Sequence, residues 1–213
     1  MATVGCISEI LVESVPPSIK VGLLSSGNEL VPASTIDLPP GKIRDSNKCM
    51  LIALANELPF AEVIDLGTMQ DGGIFINEAI TTAIDGAGCD LIITSGGVSM
   101  GELDLIKPYI ELQGVVFFGR LNMKPGKPTT FGRIKDCLIL ALPGNPVSCF
   151  VSASLFLEPI VNMLATGKRR DKETIMAQLL PPSVKVDRVR PEYHRCTVFR
   201  YKDGFVAVST GAA

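Results

Sequence analysis

Short runs of continuous apolar residues alternate with longer mixed segments along most of the chain. "KVGLLSSGNEL" opens with the apolar run Val21–Leu24 and stops at a Ser-Ser-Gly turn, which predicts a buried strand entering a loop. "FAEVIDLG" predicts a strand ending at Gly67, and "CDLIITSGG" a strand apolar enough for a sheet covered on both faces. "VVFFG" and "CLILALPG" are two further strands. Between them, "RDSNKCMLIALANEL" predicts a helix to about Leu58, with Asp45 or Ser46 as its N-cap. "GGIFINEAITTAIDGAG" predicts a helix closed by Gly86 or Gly88. "ELDLIKPYIELQG" predicts one with Pro108 near its middle and Gly114 at its end. "NPVSCFVSASLFLEPIVNMLATG" predicts a long helix capped by Asn145, with Pro146 at its first position, a kink at Pro159 and a stop at Gly167.

Strand and helix alternate from residue 20 to about 168, a pattern that implies parallel strands joined by helical crossovers. The expected fold class is α/β: three layers, a mostly parallel sheet with helices on both faces. Residues 1–19 read as a connecting segment. From Lys168 the helical period disappears. Residues 174–213 read as a partial all-β unit, with a hairpin turn at Lys202-Asp203-Gly204.

Composition narrows the function. The 213 residues are 46% hydrophobic with a net charge of −2, and no basic stripe argues for nucleic-acid binding. None of the six cysteines forms a Cys-x-x-Cys pair and His194 is the single histidine, so a zinc site is not expected. Cys49, Cys89, Cys137 and Cys149 lie among apolar residues and read as reduced core thiols. The N-terminus has no targeting pattern and the apolar runs look too short for a bilayer, so the expected location is cytoplasmic, with no membrane span.

In an open α/β sheet, ligands bind beyond the carboxyl ends of the strands. The loops there read "SSGNEL", "TMQDGG", "TSGGVSMGELD", "MKPGKP" and "LPGNPVS". "TSGGVSMG" lets backbone N–H groups approach a phosphate closely, or is simply a tight strand-to-helix turn. It is not Gly-x-Gly-x-x-Gly, and Lys127 is followed by proline rather than the Ser or Thr of a P-loop. "LPGNPVS" is a well-made helix start that can also serve an anion. In "MKPGKP", prolines stiffen the backbone around Lys124 and Lys127, which suits fixed ammonium groups awaiting a small anion. The acids Glu29, Asp45, Asp71 and Asp104 lie in or beside these loops, and clustered carboxylates near anion-binding loops suggest Mg²⁺. Capping alone accounts for Asp45 or Asp104 equally well.

"SSGNEL", "GKIRDSN", "TSGGVSMGELD", "MKPGKPTTF", "LPGNPVS" and "RPEYHR" occur in this order, and together they closely resemble the MoeA/gephyrin family of molybdopterin molybdenumtransferases. The likeness runs from about Thr3 to Gly211. It implies a reaction in which adenylyl-molybdopterin and molybdate combine with release of AMP. It implies roles for Glu29, Asp71 and Asp104 as catalytic acids and Mg²⁺ ligands, with Lys124 and Lys127 as catalytic and molybdate-binding residues beside Pro128, Ser148 and Arg190. The pterin and the phosphates would be held by Asp45, Ser46, Asn47, Ser95, Gly96, Gly97, Val98, Ser99, Gly101, Lys107, Pro143, Gly144 and Asn145. It also implies a homodimer of the full-length form, an adenylyltransferase domain as partner, and further family segments on either side of the present chain. Val98-Ser99-Met100 departs from the Ser-Gly-Gly-Thr-Gly loop of the related adenylyltransferases. A molybdopterin-binding or gephyrin-like scaffold module without turnover, and a molybdopterin adenylyltransferase, are the other readings.

Overall fold

The computed structural model describes residues 17–97, 105–170, 174–180 and 187–211. Its elements in chain order are β1 (Ile19–Ser26), β2 (Leu30–Val31), β3 (Ile43–Arg44), α1 (Ser46–Asn56), β4 (Ala61–Met69), α2 (Gly73–Thr81), β5 (Leu91–Ser95), α3 (Ile106–Gln113), β6 (Val115–Phe118), β7 (Thr130–Ile134), β8 (Cys137–Leu142), α4 (Pro146–Thr166), β9 (Gln178–Leu179), β10 (Cys196–Tyr201) and β11 (Gly204–Ser209). A six-stranded sheet runs β4-β1-β5-β8-β7-β6. The pairs β4–β1, β1–β5 and β5–β8 are parallel, so their carboxyl ends open onto one edge.

The continuous apolar runs follow from burial on both faces. Leu91 and Ile93 of β5 join Leu51 and Ala55 of α1 and Cys149, Ala153 and Leu157 of α4 in one core layer. Ile92, one residue out of phase, joins Ile76 and Ile80 of α2 and Ile106 and Ile110 of α3 on the opposite face. The two-residue period of a strand divides one apolar run between two helical layers. Each fully buried Leu or Ile among them stabilises the fold by about 1.5–3 kcal/mol relative to exposure.

The sheet is mostly parallel, as expected, and its exception lies at one edge. β7 runs antiparallel to both β8 and β6. Its inward residues are Thr130, Gly132 and Ile134, only one of them large and apolar, so residues 128–134 carry no strand signature. The turn to β8 is the pair Lys135-Asp136, with Lys135 at φ 52°. α3 begins at Ile106, which puts Pro108 in the first turn rather than mid-helix, where the missing N–H costs no internal bond. α2 ends at Thr81 and continues as a wider π turn over Thr82–Gly86.

α4 follows its signals. The Asn145 side chain accepts from the Val147 and Ser148 N–H groups at 3.1 Å each, Pro146 leads the helix, and Gly167 closes it at φ 65°. At 21 residues and a mean hydropathy of 1.6, α4 is long and apolar enough to cross a bilayer, contrary to the reading of the apolar runs as too short. Its buried face supplies the core layer shared with α1. Cys89, Cys137 and Cys149 are buried, whereas Cys49 is exposed on the outer side of α1 and is not a core thiol. Burial pushes the Cys137 and Cys149 thiols up to about 12, with the nearby charges of Cys89 and Asp90 adding for Cys137 and that of Asp45 for Cys149.

The C-terminal strands form a separate sheet in the order β10-β11-β9, with a β10–β11 hairpin turning at Lys202-Asp203. Most of β10 is exposed.

Candidate functional site

At the carboxyl ends of β1, β5 and β8 lies a cleft of about 240 Å³. Five stretches distant in sequence line it: Ser26, Gly27, Glu29 and Leu30; Ile43 to Asn47; Asp71; Ser95 to Gly97; and Gly144 with Pro146. Glu29, Asp45, Ser46, Asn47, Asp71, Ser95, Gly96, Gly97 and Gly144 were all singled out in the sequence, and the fold brings them together here. Ser26, Arg44 and Ile43 are additions with no distinguishing sequence signal beyond their neighbours.

The cleft walls are fixed by tertiary hydrogen bonds. Asp71 accepts from the Ser26 hydroxyl at 3.0 Å and from the Asn28 N–H at 3.1 Å, while its own N–H donates to the Asn28 side-chain oxygen at 3.2 Å. The Asn47 amide nitrogen donates to the Gly144 carbonyl at 2.9 Å, joining the starts of α1 and α4. Gly96 sits at φ 88° and donates its N–H to the Leu142 carbonyl at 3.1 Å. A Cβ there would lie 2.4 Å from the Ser26 carbonyl oxygen, so this turn requires glycine. Val98, Ser99, Gly101 and Asp104 lie outside the described residues.

Asp45 is 3% exposed. One carboxylate oxygen caps α1 by accepting from the Lys48 N–H at 3.0 Å. The other is buried with no hydrogen-bond partner among the described residues, and so is the side-chain oxygen of Asn47.

The lysine loop is built differently. Gly126 is at φ 101°, and a Cβ there would lie 2.5 Å from the Ser152 hydroxyl of α4. Thr129 donates its hydroxyl to the Gly126 carbonyl at 2.7 Å and pairs with the Ser152 hydroxyl at 2.9 Å, all fully buried. Ser152 lies six residues, or about 9 Å of helix rise, beyond Pro146 at the cleft. One helix therefore positions both features. The loop is also strapped to the C-terminal segment: the Lys124 N–H donates to the Pro191 carbonyl at 2.9 Å and the Tyr193 N–H to the Lys124 carbonyl at 2.7 Å. The Lys124 ammonium stands 3.3 Å from a Glu192 carboxylate oxygen. Glu192 belongs to the "RPEYHR" motif, where no sequence signal marks a role for it.

The strap has its own ionic support. The Asp187 N–H donates to Glu192 at 3.0 Å; that bond first, and Lys124 after it, hold the Glu192 carboxyl below its ordinary value. The Val189 N–H and the Arg190 guanidinium hold Asp187 down to about 2. The Arg190 Nη2 lies 2.8 Å from Asp187, so its charge is already engaged. Lys124, Lys127, Pro128, Ser148 and Arg190 are not among the residues lining the cleft. Lys107, expected on the phosphates, instead pairs with Glu111 at 3.5 Å and lies over Gly119. Pro143 is buried, and Asn145 is occupied as the α4 cap.

Residues 22–163 match the family model described as a probable molybdopterin binding domain. The chain is 35% identical to the gephyrin of Dictyostelium discoideum, covering 99% of this chain and 34% of that protein. It is 35% identical to the molybdopterin molybdenumtransferase of Haemophilus influenzae, over 90% of this chain and 46% of that protein. In structure it is similar to the molybdopterin biosynthesis MoeA protein of Pyrococcus horikoshii, with a TM-score of 0.68 and 28% identity, over 92% of this chain and 46% of that one. The chain thus spans a third to a half of the length of these relatives.

Proposed function

Since the chain belongs to the molybdopterin-binding domain family that matches residues 22–163, we propose that it forms the pterin-binding and molybdate-receiving part of a molybdopterin molybdenumtransferase. The substrates are adenylyl-molybdopterin and molybdate, and the products are molybdenum on the dithiolene and AMP. The observation that carries this reading is α4, which sets the start of a strand-end cleft and the buried anchor of a two-lysine loop about 9 Å apart along one rigid element. A pterin carrying an extended phosphate needs two subsites held at a fixed separation, because the catalytic gain comes from positioning.

In this reading the cleft holds the pterin and the diphosphate, and Lys124 and Lys127 hold the molybdate dianion. Glu192 holds the Lys124 ammonium in place, and the incoming oxyanion competes with that carboxylate for its charge. Glu29 and Asp71 present oxygen donors into one cleft, and Asp71 is oriented by Ser26 and Asn28; this fits a hard cation shared with phosphate oxygens. Mg²⁺ held there would neutralise charge on the diphosphate. An adenylyl-molybdopterin substrate calls for an adenylyltransferase to supply the activated pterin.

The test is AMP release from adenylyl-molybdopterin on adding molybdate. The Lys124→Ala, Lys127→Ala double variant is expected to lose molybdate dependence while retaining pterin binding. Unchanged molybdate dependence removes the lysines from the site. Pterin binding with no AMP release by the unaltered chain makes it a binding module. Formation of adenylyl-molybdopterin from ATP and molybdopterin makes it an adenylyltransferase.

A further inference from the structure

The described part of the cleft is richer in acceptors than a phosphate site should be. Glu29, Asp45, Asn47 and Asp71 all line it. Both Asp71 oxygens already accept hydrogen bonds, from Ser26 and Asn28. The second carboxylate oxygen of Asp45 and the side-chain oxygen of Asn47 accept none, and both are buried. The Asn47 amide is oriented by its donation to Gly144, which leaves its oxygen as the unpaired end. Buried acceptors of this kind are costly unless something donates to them. They repel a phosphate, and the nearby Lys48 N–H is already committed to the other Asp45 oxygen.

Resting on the pterin reading above, we infer that Asp45 and Asn47 are specificity-determining residues that receive the donor edge of the pterin, its N3–H and 2-amino group. A 2-amino-4-oxopteridine presents those two N–H donors side by side, and the two unpaired acceptors, two residues apart at one helix start, supply a partner for each. The pterin then enters head-first at the junction of α1 and α4, and its phosphate points outward toward the Gly96-Gly97 turn. This moves Asp45 and Asn47 from the phosphate end of the ligand to the ring end. Selectivity follows: a site built around unpaired acceptors rejects an analogue that brings another acceptor, because both groups are then left unsatisfied.

The ligand pair that tests this is the phosphate ester of 6-hydroxymethylpterin and that of 6-hydroxymethyllumazine, in which the 2-amino donor becomes a 2-oxo acceptor. Fluorescence titration of the full chain should show the pterin ester binding at least about tenfold tighter than the lumazine ester. Asp45→Asn keeps an oxygen to cap α1 and replaces the unpaired acceptor with a donor. It should shrink the ratio to about one or invert it, with thermal unfolding within a few degrees of the parent. Equal binding of the two esters by the unaltered chain overturns the inference, whatever becomes of the variant. An unchanged ratio in a folded Asp45→Asn variant overturns it too. If the unaltered chain binds neither ester, the pterin reading of the cleft itself is wrong.

Discussion

The strand-end cleft and the lysine loop are two ways of fixing a polar site. The cleft is made by the sheet: parallel strands end together, and the turns leaving them converge, two of them tied by Asp71 to Ser26 and Asn28. The loop is made by attachment: a buried hydroxyl pair on one side, and a strap of two backbone bonds and an ion pair on the other. The first is as stable as the core it grows from. The second depends on a C-terminal segment that buries little apolar surface of its own. The two regions should therefore fail separately, under different substitutions and at different pH.

The largest separation is expected from a pair of glycine substitutions. Gly96→Ala forces a methyl to within 2.4 Å of the Ser26 carbonyl at φ 88° and should cost about 1–3 kcal/mol of stability or more. It should abolish binding of the pterin ester while hydrogen exchange at Lys124 and Tyr193 stays slow. Gly126→Ala is the mirror test: its methyl meets the Ser152 hydroxyl at 2.5 Å, so the loop shifts, molybdate dependence weakens, and the pterin ester still binds. If either substitution abolishes both functions without unfolding the chain, the two regions are one cooperative unit. Ser152→Ala should cost less, about 1 kcal/mol, because Thr129 keeps its bond to the Gly126 carbonyl; a denaturant titration measures this.

Acid should release the strap before the cleft. Asp187, held at about 2 against an ordinary 3.8, and Glu192, held below an ordinary 4.5, both stabilise the fold in their ionised forms. That contribution is complete above pH 4.5 and is lost as the pH falls toward 2. Amide exchange at Val189, Lys124 and Tyr193 should accelerate across this window ahead of β5. Simultaneous acceleration would show that the strap is not the weaker attachment. The smallest effect is chemical: at pH 8 an alkylating reagent should modify exposed Cys49 readily and leave Cys137 and Cys149 untouched until the chain unfolds, which peptide mass spectrometry resolves.

By itself, the sequence determined the layered α/β plan, because buried parallel strands demand continuous apolar runs and helices announce their ends with Asp45, Asn145, Pro146 and Gly167. It also marked the cleft, since glycine and small polar residues after each run are local requirements of tight turns. β7 stayed hidden because only Ile134 of its three buried residues is large and apolar, beside Thr130 and Gly132, so burial leaves no period to read. The exposure of Cys49 and the first-turn place of Pro108 depended on where α1 faces and where α3 begins. Only the tertiary structure decided that Ser152 anchors the lysine loop, that Glu192 holds Lys124, that Lys107 turns away to Glu111, and that Asp45 and Asn47 each keep an unpaired acceptor. These contacts join residues 23 to 97 positions apart, or pair groups whose partners are chosen by packing, and no local preference encodes such choices.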